Sequence, residues 1–236
     1  MGSPPNQHRK RIGRTFAIAA KPVTVKQYLQ FRKAHVLLKE RAPTEDCPVH
    51  GTSWYEAAQY CNWLSEQERI PKEEWCYETN PNGQVMKLKE KYLSLTGYRL
   101  PTEAEMEYAT RAGAVTNRYY GVTEELLGKY GWFLLNSRDR SWPVGSKKPN
   151  DQGLFDLHGN VRCWCQESFK DYSKPTDEVI EDKEDVLDID STANRVLRGG
   201  SFVNPASHVR SSYRLFNLPS FNIVYVGFRA ARTFTH

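Results

Sequence analysis

Residues 98–105 read Tyr-Arg-Leu-Pro-Thr-Glu-Ala-Glu and contain a strong helix-start signal. Thr102 has the hydroxyl side chain of a helix N-cap, and Glu105, three residues later, completes a capping-box pattern. Met106 and Ala109 follow as apolar members of the same segment. The sequence therefore predicts a helix that begins directly after Thr102.

Two earlier segments carry the same signal. Thr24 is followed by Gln27 and Ser53 by Glu56, each at the capping-box spacing. After Ser53, apolar residues recur at helical spacing, so we expect one face of this helix in the core. These residues are Trp54, Ala57, Ala58, Cys61 and Leu64.

The remaining patterns are those of short strands and turns. Residues 15–18 alternate as a short strand does, and Asn-Pro-Asn-Gly at 80–83 predicts a turn or hairpin. After Gly113, glycines, prolines and aromatic residues punctuate strand-like pieces at 131–133, 142–145, 153–156, 195–200 and 226–230. Helices early and strands late predict an α+β fold rather than an alternating parallel sheet. The length of 236 residues predicts one domain covering 1–236.

Composition argues against several classes of protein. No apolar run approaches the roughly 20 residues of a membrane span, and the N-terminus lacks a signal peptide, so we expect a cytoplasmic protein without membrane partners. The net charge of +5 is mild and locally reversed, which does not indicate a nucleic-acid partner. The acidic run from 177 to 190 predicts a mobile surface loop, with calcium binding as the alternative.

Cysteine and histidine patterns do not indicate catalysis or metal binding. Five cysteines at irregular spacing argue against a disulfide framework and fit a reducing compartment. Cys163 and Cys165 would share one face of a strand, where small, partly buried thiols are the simplest interpretation. The six histidines show no ligand spacing, and we expect them at the surface or in turns. We predict no catalytic residue, no metal and no cofactor.

Several phrases, in order along nearly the whole chain, resemble the formylglycine-generating-enzyme (sulfatase-modifying factor) family. They are Lys21-Pro22-Val23-Thr24, Pro48-Val49-His50-Gly51-Thr52-Ser53-Trp54, Tyr60-Cys61-Asn62-Trp63-Leu64-Ser65, the residues 98–105 quoted above, Val144-Gly145-Ser146, Gly153-Leu154-Phe155-Asp156-Leu157-His158-Gly159-Asn160-Val161, Arg198-Gly199-Gly200-Ser201 and Gly227-Phe228-Arg229.

The resemblance implies a C-type lectin-like fold with little regular structure, a small twisted antiparallel sheet and a ligand face near the C-terminus. Many members of the family have the phrase Phe-x-Met-Gly-Ser near the start of the domain, and Met1-Gly2-Ser3 resembles its end. This likeness leaves open that the chain is a fragment of a longer protein.

Two departures from the family separate this chain from its oxidases. The family's catalytic cysteine pair falls on Asn204 and Val209, which supply no thiolate. The family's calcium loop ends in Trp-Glu-Trp, where this chain has Arg162-Cys163-Trp164. A hard cation gains little from a thiol and is repelled by a guanidinium, so we expect no tightly held metal near Asp156.

The segment 202–225 has an unusual composition. Residues 202–232 contain no Lys, Glu, Gln, Met or Trp. Codons of the form AAC or AAT with randomised adenines exclude those five residue types. The segment therefore resembles the variable region of a diversity-generating-retroelement variable protein, a group that uses this lectin-like fold.

Aromatic anchors mixed with small polar residues are typical of recognition surfaces. We predict that Phe202, Phe216, Phe221 and Tyr225 cluster on one exposed face. The alternative is that these side chains fill the core beneath the last strands. We expect Arg210, Arg214 and Arg229 to brace the framework through backbone carbonyls. The full predicted ligand-binding set is Phe202, Val203, Asn204, Ser207, His208, Leu215, Phe216, Asn217, Leu218, Ser220, Phe221, Asn222, Ile223, Val224 and Tyr225.

The sequence thus favours a non-catalytic protein that binds an unidentified ligand, a protein or another macromolecule, through a diversified surface. The alternative is an inactive or altered member of the enzyme family with a fixed partner. The oligomeric state stays open.

Overall fold

A computed structural model describes residues 8–172, 178–183 and 186–234. The helices are α1 (Val25–Phe31), α2 (Trp54–Gln67), α3 (Glu103–Arg111) and α4 (Leu127–Tyr130). The strands are β1 (Arg9–Arg11), β2 (Thr15–Ile18), β3 (Tyr77–Thr79), β4 (Val85–Leu88), β5 (Tyr98–Arg99), β6 (Arg162–Ser168), β7 (Val179–Glu181), β8 (Arg195–Arg198), β9 (Arg214–Asn217), β10 (Val226–Gly227) and β11 (Ala231–Phe234). Short 3-10 helices lie at Lys72–Glu74 and Ala206–His208.

All three predicted helix starts are confirmed. Thr24, Ser53 and Thr102 precede α1, α2 and α3, and each cap hydroxyl accepts a hydrogen bond from the backbone N–H three residues later. The glutamine or glutamate at that position bonds back to the N–H of the cap residue, so the capping box is complete each time.

Small sheets organise the strands, as the predicted α+β class requires. The largest sheet has the order β10-β6-β8-β9, with antiparallel pairs β6–β8 and β8–β9 and a parallel pair β10–β6. Strand β11 lies between β2 and β5 in an antiparallel three-stranded sheet. The predicted turn at 80–83 joins β3 to β4 as a hairpin.

The main core joins α2 to the large sheet and to both ends of the described chain. The indole N–H of Trp54 donates to the carbonyl of Cys165 at 2.9 Å, and that of Trp164 donates to the carbonyl of Thr52 at 2.9 Å. Tyr28 from α1 and Phe228 near the C-terminus pack in the same cluster. The N-terminal helices therefore form a rigid support beneath the last strands.

The strand-like pieces at 131–133, 142–145 and 153–156 are turns and loops, so their interpretation as strands is wrong. Their backbone groups bond asparagine side chains instead of a neighbouring strand. Asn136 accepts from the N–H of Phe133 at 2.8 Å, and Asn160 accepts from the N–H of Trp142 at 3.0 Å. Side-chain amides thus replace a strand ladder there.

The loop interpretation of the acidic run is also wrong at residues 179–181, which form β7 in parallel register with β1. Asp182 is buried and accepts hydrogen bonds from Arg14 at 2.6 Å and from Thr102 at 2.8 Å. The other residues of the run at 177 and 184–185 lie outside the described part of the chain. Among the described helices, none combines the length and apolar character that crossing a membrane requires.

Candidate functional site

The segment 202–225 runs from the end of β8, through the 3-10 helix Ala206–His208 and the edge strand β9, to the start of β10. Since β9 and β10 form opposite edges of the four-stranded sheet, the residues between them pass from one edge to the other.

Most of the fifteen predicted ligand-binding side chains reach solvent. Five are exposed, namely Ser207, Phe216, Ser220, Phe221 and Asn222. Eight are half-buried, namely Val203, His208, Leu215, Asn217, Leu218, Ile223, Val224 and Tyr225. The nine intervening framework residues differ, because four of them, Val209, Ser211, Ser212 and Pro219, are buried.

Phe202 and Asn204 do not lie on the surface, so the expected exposure is wrong for both. Phe202 has no exposed area. Its N–H donates to the carbonyl of Asn160 at 2.9 Å, and its carbonyl accepts from the hydroxyl of Ser137 at 2.8 Å. The Asn204 amide oxygen accepts from the Ser201 hydroxyl at 2.9 Å. Backbone bonds on both sides of Phe202 fix its side chain toward the interior.

The positions of the family's cysteine pair are structural in this chain. Val209 is fully buried and packs with Leu127 and Phe133. Asn204 is also buried, and its carbonyl accepts from the N–H of Leu134 at 2.9 Å. Neither side chain has a proton-transfer or nucleophilic group, so these two positions offer no redox chemistry.

The aromatic residues of the segment do not form the single cluster we predicted. Phe216, 45% exposed, packs on Phe169 with ring centroids 4.4 Å apart at the β9 edge. Tyr225 lies at the β10 edge beneath the guanidinium of Arg162, 5.1 Å from the ring centroid. Among the ring contacts of the described residues, none joins two of the four predicted anchors. The exposed aromatic residues are spread along the face.

The loop between β9 and β10 is attached to the start of α2. The N–H of Trp54 donates to the carbonyl of Pro219 at 3.0 Å, and the N–H of Gly51 donates to the carbonyl of Ile223 at 3.0 Å. Between these two anchors, Ser220, Phe221 and Asn222 project into solvent. The loop is thus held by main-chain bonds that do not depend on the identity of its exposed side chains.

Two depressions flank this loop. One of about 770 Å³ is lined by Ser220 and Asn222, and one of about 410 Å³ by Asn222 and Val224. Arg32 and Glu56 line both, as an ion pair. Sequence reasoning missed Arg32 and Glu56 as site residues, because no spacing relates them to the C-terminal loop.

Guanidinium hydrogen bonds to backbone carbonyls brace the segment and the framework around it. Arg118 donates to the carbonyls of Val209 at 3.0 Å and Ala206 at 2.9 Å. Arg229 donates to the carbonyls of Ala19 at 3.0 Å and Phe155 at 2.8 Å, and Arg210 donates to that of Ser207 at 3.2 Å, as expected for framework arginines.

Arg214 differs from the expectation, because its partner is a carboxylate. It donates to Glu103 at 2.9 Å and lies over the ring of Tyr172, 3.8 Å from the centroid. Glu103 also forms an ion pair with the buried Arg198. This network connects β8 and β9 to α3.

The loop around Asp156 uses its carboxylate internally. One oxygen accepts from the N–H of Gly145 at 2.7 Å, and the other accepts from the side-chain amide of Asn160 at 3.2 Å. Burial raises the pKa of Asp156, and the Gly145 N–H offsets part of this rise. Within the described residues, no group of three or more histidine, cysteine or acidic side chains is arranged to hold a metal.

All five cysteines are buried with free thiols, and Cys163 and Cys165 pack in one cluster, as their spacing on a strand predicts. Burial raises the pKa of both of these thiols, which disfavours a reactive thiolate. The expectation of histidines at the surface or in turns is wrong for His8 and His50, which are buried, while His158 is buried but lies in a bend of the chain. Their burial depends on distant residues, as the stacking of His158 on Tyr119 shows.

Buried His158 gives the protein a defined sensitivity to acid. Burial lowers its pKa to about 3, so the folded protein keeps the ring neutral while an unfolded chain binds a proton below about pH 6.5. The contribution of His158 to the free energy of unfolding is complete above pH 6.5 and is lost as the pH falls toward 3. We expect it to contribute a slope of about 1.4 kcal/mol per pH unit within that window.

The measurement is urea denaturation between pH 7 and pH 4 for the natural chain and for His158→Gln. The free energy of unfolding of the variant should depend less steeply on pH, by the slope that corresponds to about one bound proton, whatever its absolute stability. Identical slopes for the two proteins would contradict a neutral buried His158.

The family model of the sulfatase-modifying factor enzyme 1-like domain matches residues 2–234. Chaperone protein LppX of Paenibacillus barcinonensis is 30% identical, over 72% of this chain and 64% of that protein. The formylglycine-generating enzyme of Streptomyces coelicolor is 34% identical, over 59% of this chain and 48% of the enzyme. Serine/threonine-protein kinase pkn1 of Chlamydia pneumoniae is 29% identical, over 78% of this chain and 24% of the kinase. The chain thus spans between about a quarter and about two thirds of the length of these relatives.

Solved structures give the same result. Treponema denticola variable protein 1 has a TM-score of 0.75 and 26% identity, covering 95% of this chain and 86% of its own. PvdO from Pseudomonas aeruginosa has a TM-score of 0.66 at 22% identity, covering 93% of this chain and 80% of its own, which shows a shared fold. The resemblance expected from the sequence is confirmed, and the chain belongs to the sulfatase-modifying factor enzyme 1-like domain family.

Proposed function

We propose that this chain binds a macromolecular ligand, without catalysis, through the exposed and half-buried side chains of residues 203–225. The observation that carries the proposal is the separation of roles within that segment. Candidate side chains reach solvent at thirteen of fifteen positions, while buried residues, main-chain bonds and arginines between them hold the backbone.

The chemistry of the face suits recognition better than reaction. Phe216 and Phe221 expose 45% and 47% of their area, beside the polar Ser220 and Asn222. Exposed aromatic side chains supply contact area at low entropic cost, and small polar residues supply adaptable hydrogen bonds. The loss of both family cysteines and the likeness to a variable protein support binding over oxidation.

A fixed partner is the second candidate function. Its support is the match to a segment that makes up 24% of a kinase, because a domain carried within a larger protein can serve as a recruiting module. A second DNA copy of the 202–225 region, differing only at adenines, would favour diversification over the fixed partner. Its absence from the source genome would remove the diversification claim and leave ligand binding intact.

Randomised display libraries test the binding proposal. One library varies Phe216, Ser220, Phe221 and Asn222, and a matched control library varies Phe202, Val209, Ser211 and Ser212. We expect most clones of the first library to fold, because exposed substitutions usually change stability by about 0.5 kcal/mol or less. Most control clones should fail, because they disturb packed or hydrogen-bonded interior groups.

The readouts are protease resistance on the displaying particle and selection against a panel of purified proteins. We expect the first library to yield folded binders. Their affinity should be lost when the four varied positions are changed to alanine. The proposal fails if both libraries lose folding equally, or if the folded clones of the first library yield no binder to any protein in the panel.

A further inference from the structure

Arg162 is a buried cation without a counter-charge. Six arginines are buried in the described part of the chain, and five of them donate to a carboxylate or a carbonyl oxygen, namely Arg99, Arg118, Arg195, Arg198 and Arg229. Arg162, which is 6% exposed, donates to neither kind of oxygen and forms no ion pair with a described residue. Because a buried charge without a partner is unfavourable, an anion from outside the fold would be stabilised there.

The end of the Arg162 side chain stays in contact with solvent. Its Nε is buried and has no hydrogen-bond partner, whereas its two terminal nitrogens are not in that state. Burial lowers the pKa of Arg162, and the phenols of Tyr225 and Tyr213 offset part of this fall. The guanidinium carbon lies 5.1 Å from the ring centroid of Tyr225. A phenol is neutral at pH 7, so neither tyrosine supplies the missing negative charge.

The topology of the large sheet brings these three residues to one end. Strands β6, β9 and β10 run in the same direction, because β8 is antiparallel to both β6 and β9 while β10 is parallel to β6. Arg162 begins β6, Tyr213 directly precedes β9, and Tyr225 directly precedes β10. The loop that follows β8 starts at the same end, and His208 from this loop stacks on Tyr213 with ring centroids 4.4 Å apart. Arg162 is therefore surrounded by the proposed binding segment without belonging to it.

The two phenols extend the guanidinium into a group of donors. Both tyrosines are half-buried, and within the described residues neither hydroxyl donates to a protein oxygen. Each phenol O–H can therefore donate to a ligand. We call the guanidinium of Arg162 with the hydroxyls of Tyr213 and Tyr225 the Arg162 site. Its donors suit an acceptor with two or more oxygens and a negative charge.

The negative charge has to come from another molecule. Residues 202–232, which surround the Arg162 site, contain no aspartate and no glutamate. The whole chain carries a net charge of +5, which favours approach of an acidic partner. A carboxylate accepts two parallel N–H bonds from a guanidinium, and this geometry gives the strongest hydrogen bonds of that ion.

We propose that the Arg162 site is a subsite for a carboxylate, the end of an aspartate or glutamate side chain on a protein ligand. Its biological role rests on the proposed binding function. The carboxylate accepts from the terminal N–H groups of Arg162 and from the hydroxyl of Tyr225 or Tyr213. Because Arg162 lies outside the segment 202–225, it is a constant anchor, and the variable residues around it choose among acidic partners.

A pair of capped amino acids tests the charge requirement. N-acetylglutamate methylamide, its glutamine equivalent and inorganic phosphate are titrated separately into the isotope-labelled chain, and the Nε–H signal of Arg162 and the amide signal of Val226 are followed by NMR. We expect saturable shifts with the glutamate probe in the millimolar range and an affinity at least about tenfold lower for the glutamine probe. Phosphate should bind more weakly than the glutamate probe.

Two variants with the same change in net charge locate the binding. In Arg162→Met, affinity for the glutamate probe should fall at least about tenfold. Arg232→Met is the control, because Arg232 lies in β11 of the other sheet and pairs with Glu68. This control should bind the probe as the natural chain does.

Urea denaturation separates a binding group from a structural brace. Arg162→Met keeps the apolar stem and removes an unpaired buried charge, so its unfolding midpoint should equal or exceed that of the natural chain. Arg198→Met is the matched comparison, because it leaves Glu103 and Glu107 without this partner. Its midpoint should fall clearly.

Four results would each overturn the proposal. The glutamine probe binds as tightly as the glutamate probe, or both Met variants at 162 and 232 bind alike. Phosphate binds more tightly than the glutamate probe, which would indicate a phosphorylated ligand. Arg162→Met loses stability as Arg198→Met does, or fails to fold, which would make Arg162 a brace. The display selections vary other positions and use other ligands, so failure of the carboxylate subsite and failure of the binding function are separate results.

Discussion

Replacing Phe202 by alanine should lower the free energy of unfolding by about 3–5 kcal/mol, whereas replacing Phe221 by alanine should change it by less than about 1 kcal/mol. Both residues belong to the segment 202–225, whose composition predicts variable contact residues. Phe202, however, has no exposed area and Phe221 is 47% exposed. The first substitution leaves a cavity in the interior, and the second removes a side chain from solvent.

Chemical denaturation of the two variants and the natural chain measures the difference. A binding assay with any selected ligand adds a second readout, because Phe221→Ala should weaken binding without unfolding the protein. Equal stability losses for the two variants would mean that Phe202 is not the interior residue described here. A silent Phe221→Ala in both assays would remove Phe221 from the binding surface.

Gly159→Ala should be comparably damaging, with a loss of at least about 3 kcal/mol. The backbone of Gly159 has φ +101°, and an added Cβ would lie 2.1 Å from the carbonyl oxygen of Trp132. Since that oxygen belongs to the backbone, it cannot rotate away as a flexible side chain can. The next residue, Asn160, donates its N–H to the same carbonyl at 2.8 Å, so a shift of Trp132 would also break this bond.

Gly153→Ala is the matched control for this prediction. Gly153 also has a positive φ, +75°, but an added Cβ would meet nothing within 4 Å. We expect a cost of about 1 kcal/mol, from backbone strain alone. Thermal and urea unfolding of the two variants separate strain from steric overlap. Similar losses for both would show that the close approach of Gly159 to Trp132 is not needed for stability.

The sequence predicted the helices well because their start signals are local. Thr24, Ser53 and Thr102 each bond a residue three positions away, so the pattern and the contact coincide. Of the strand-like pieces after Gly113, those at 195–200 and 226–230 contain strands, whereas those at 131–133, 142–145 and 153–156 were misassigned because their partners are distant. Asn160, for example, bonds both backbone groups of Trp142, 18 residues earlier, and no periodicity in the sequence indicates this.

The candidate site was predicted in part for a similar reason. Composition identified the segment 202–225 but carried no information on which way each side chain points. Phe202 turns inward because Asn160 and Ser137, 42 and 65 residues earlier, bond its backbone. His50 and Arg32 were outside any recognised binding pattern, and only the folded chain brings them beside Asn222.

The loop that joins β9 to β10 has consequences for how the protein can evolve. Eight residues, 218–225, connect opposite edges of the sheet, and main-chain bonds to Trp54 and Gly51 fix Pro219 and Ile223 in position. An inserted or deleted residue between those anchors would break one of the two bonds, whereas a substitution at Ser220, Phe221 or Asn222 leaves both bonds in place. Lineages of this protein should therefore differ in the amino-acid sequence of this loop while its length is conserved.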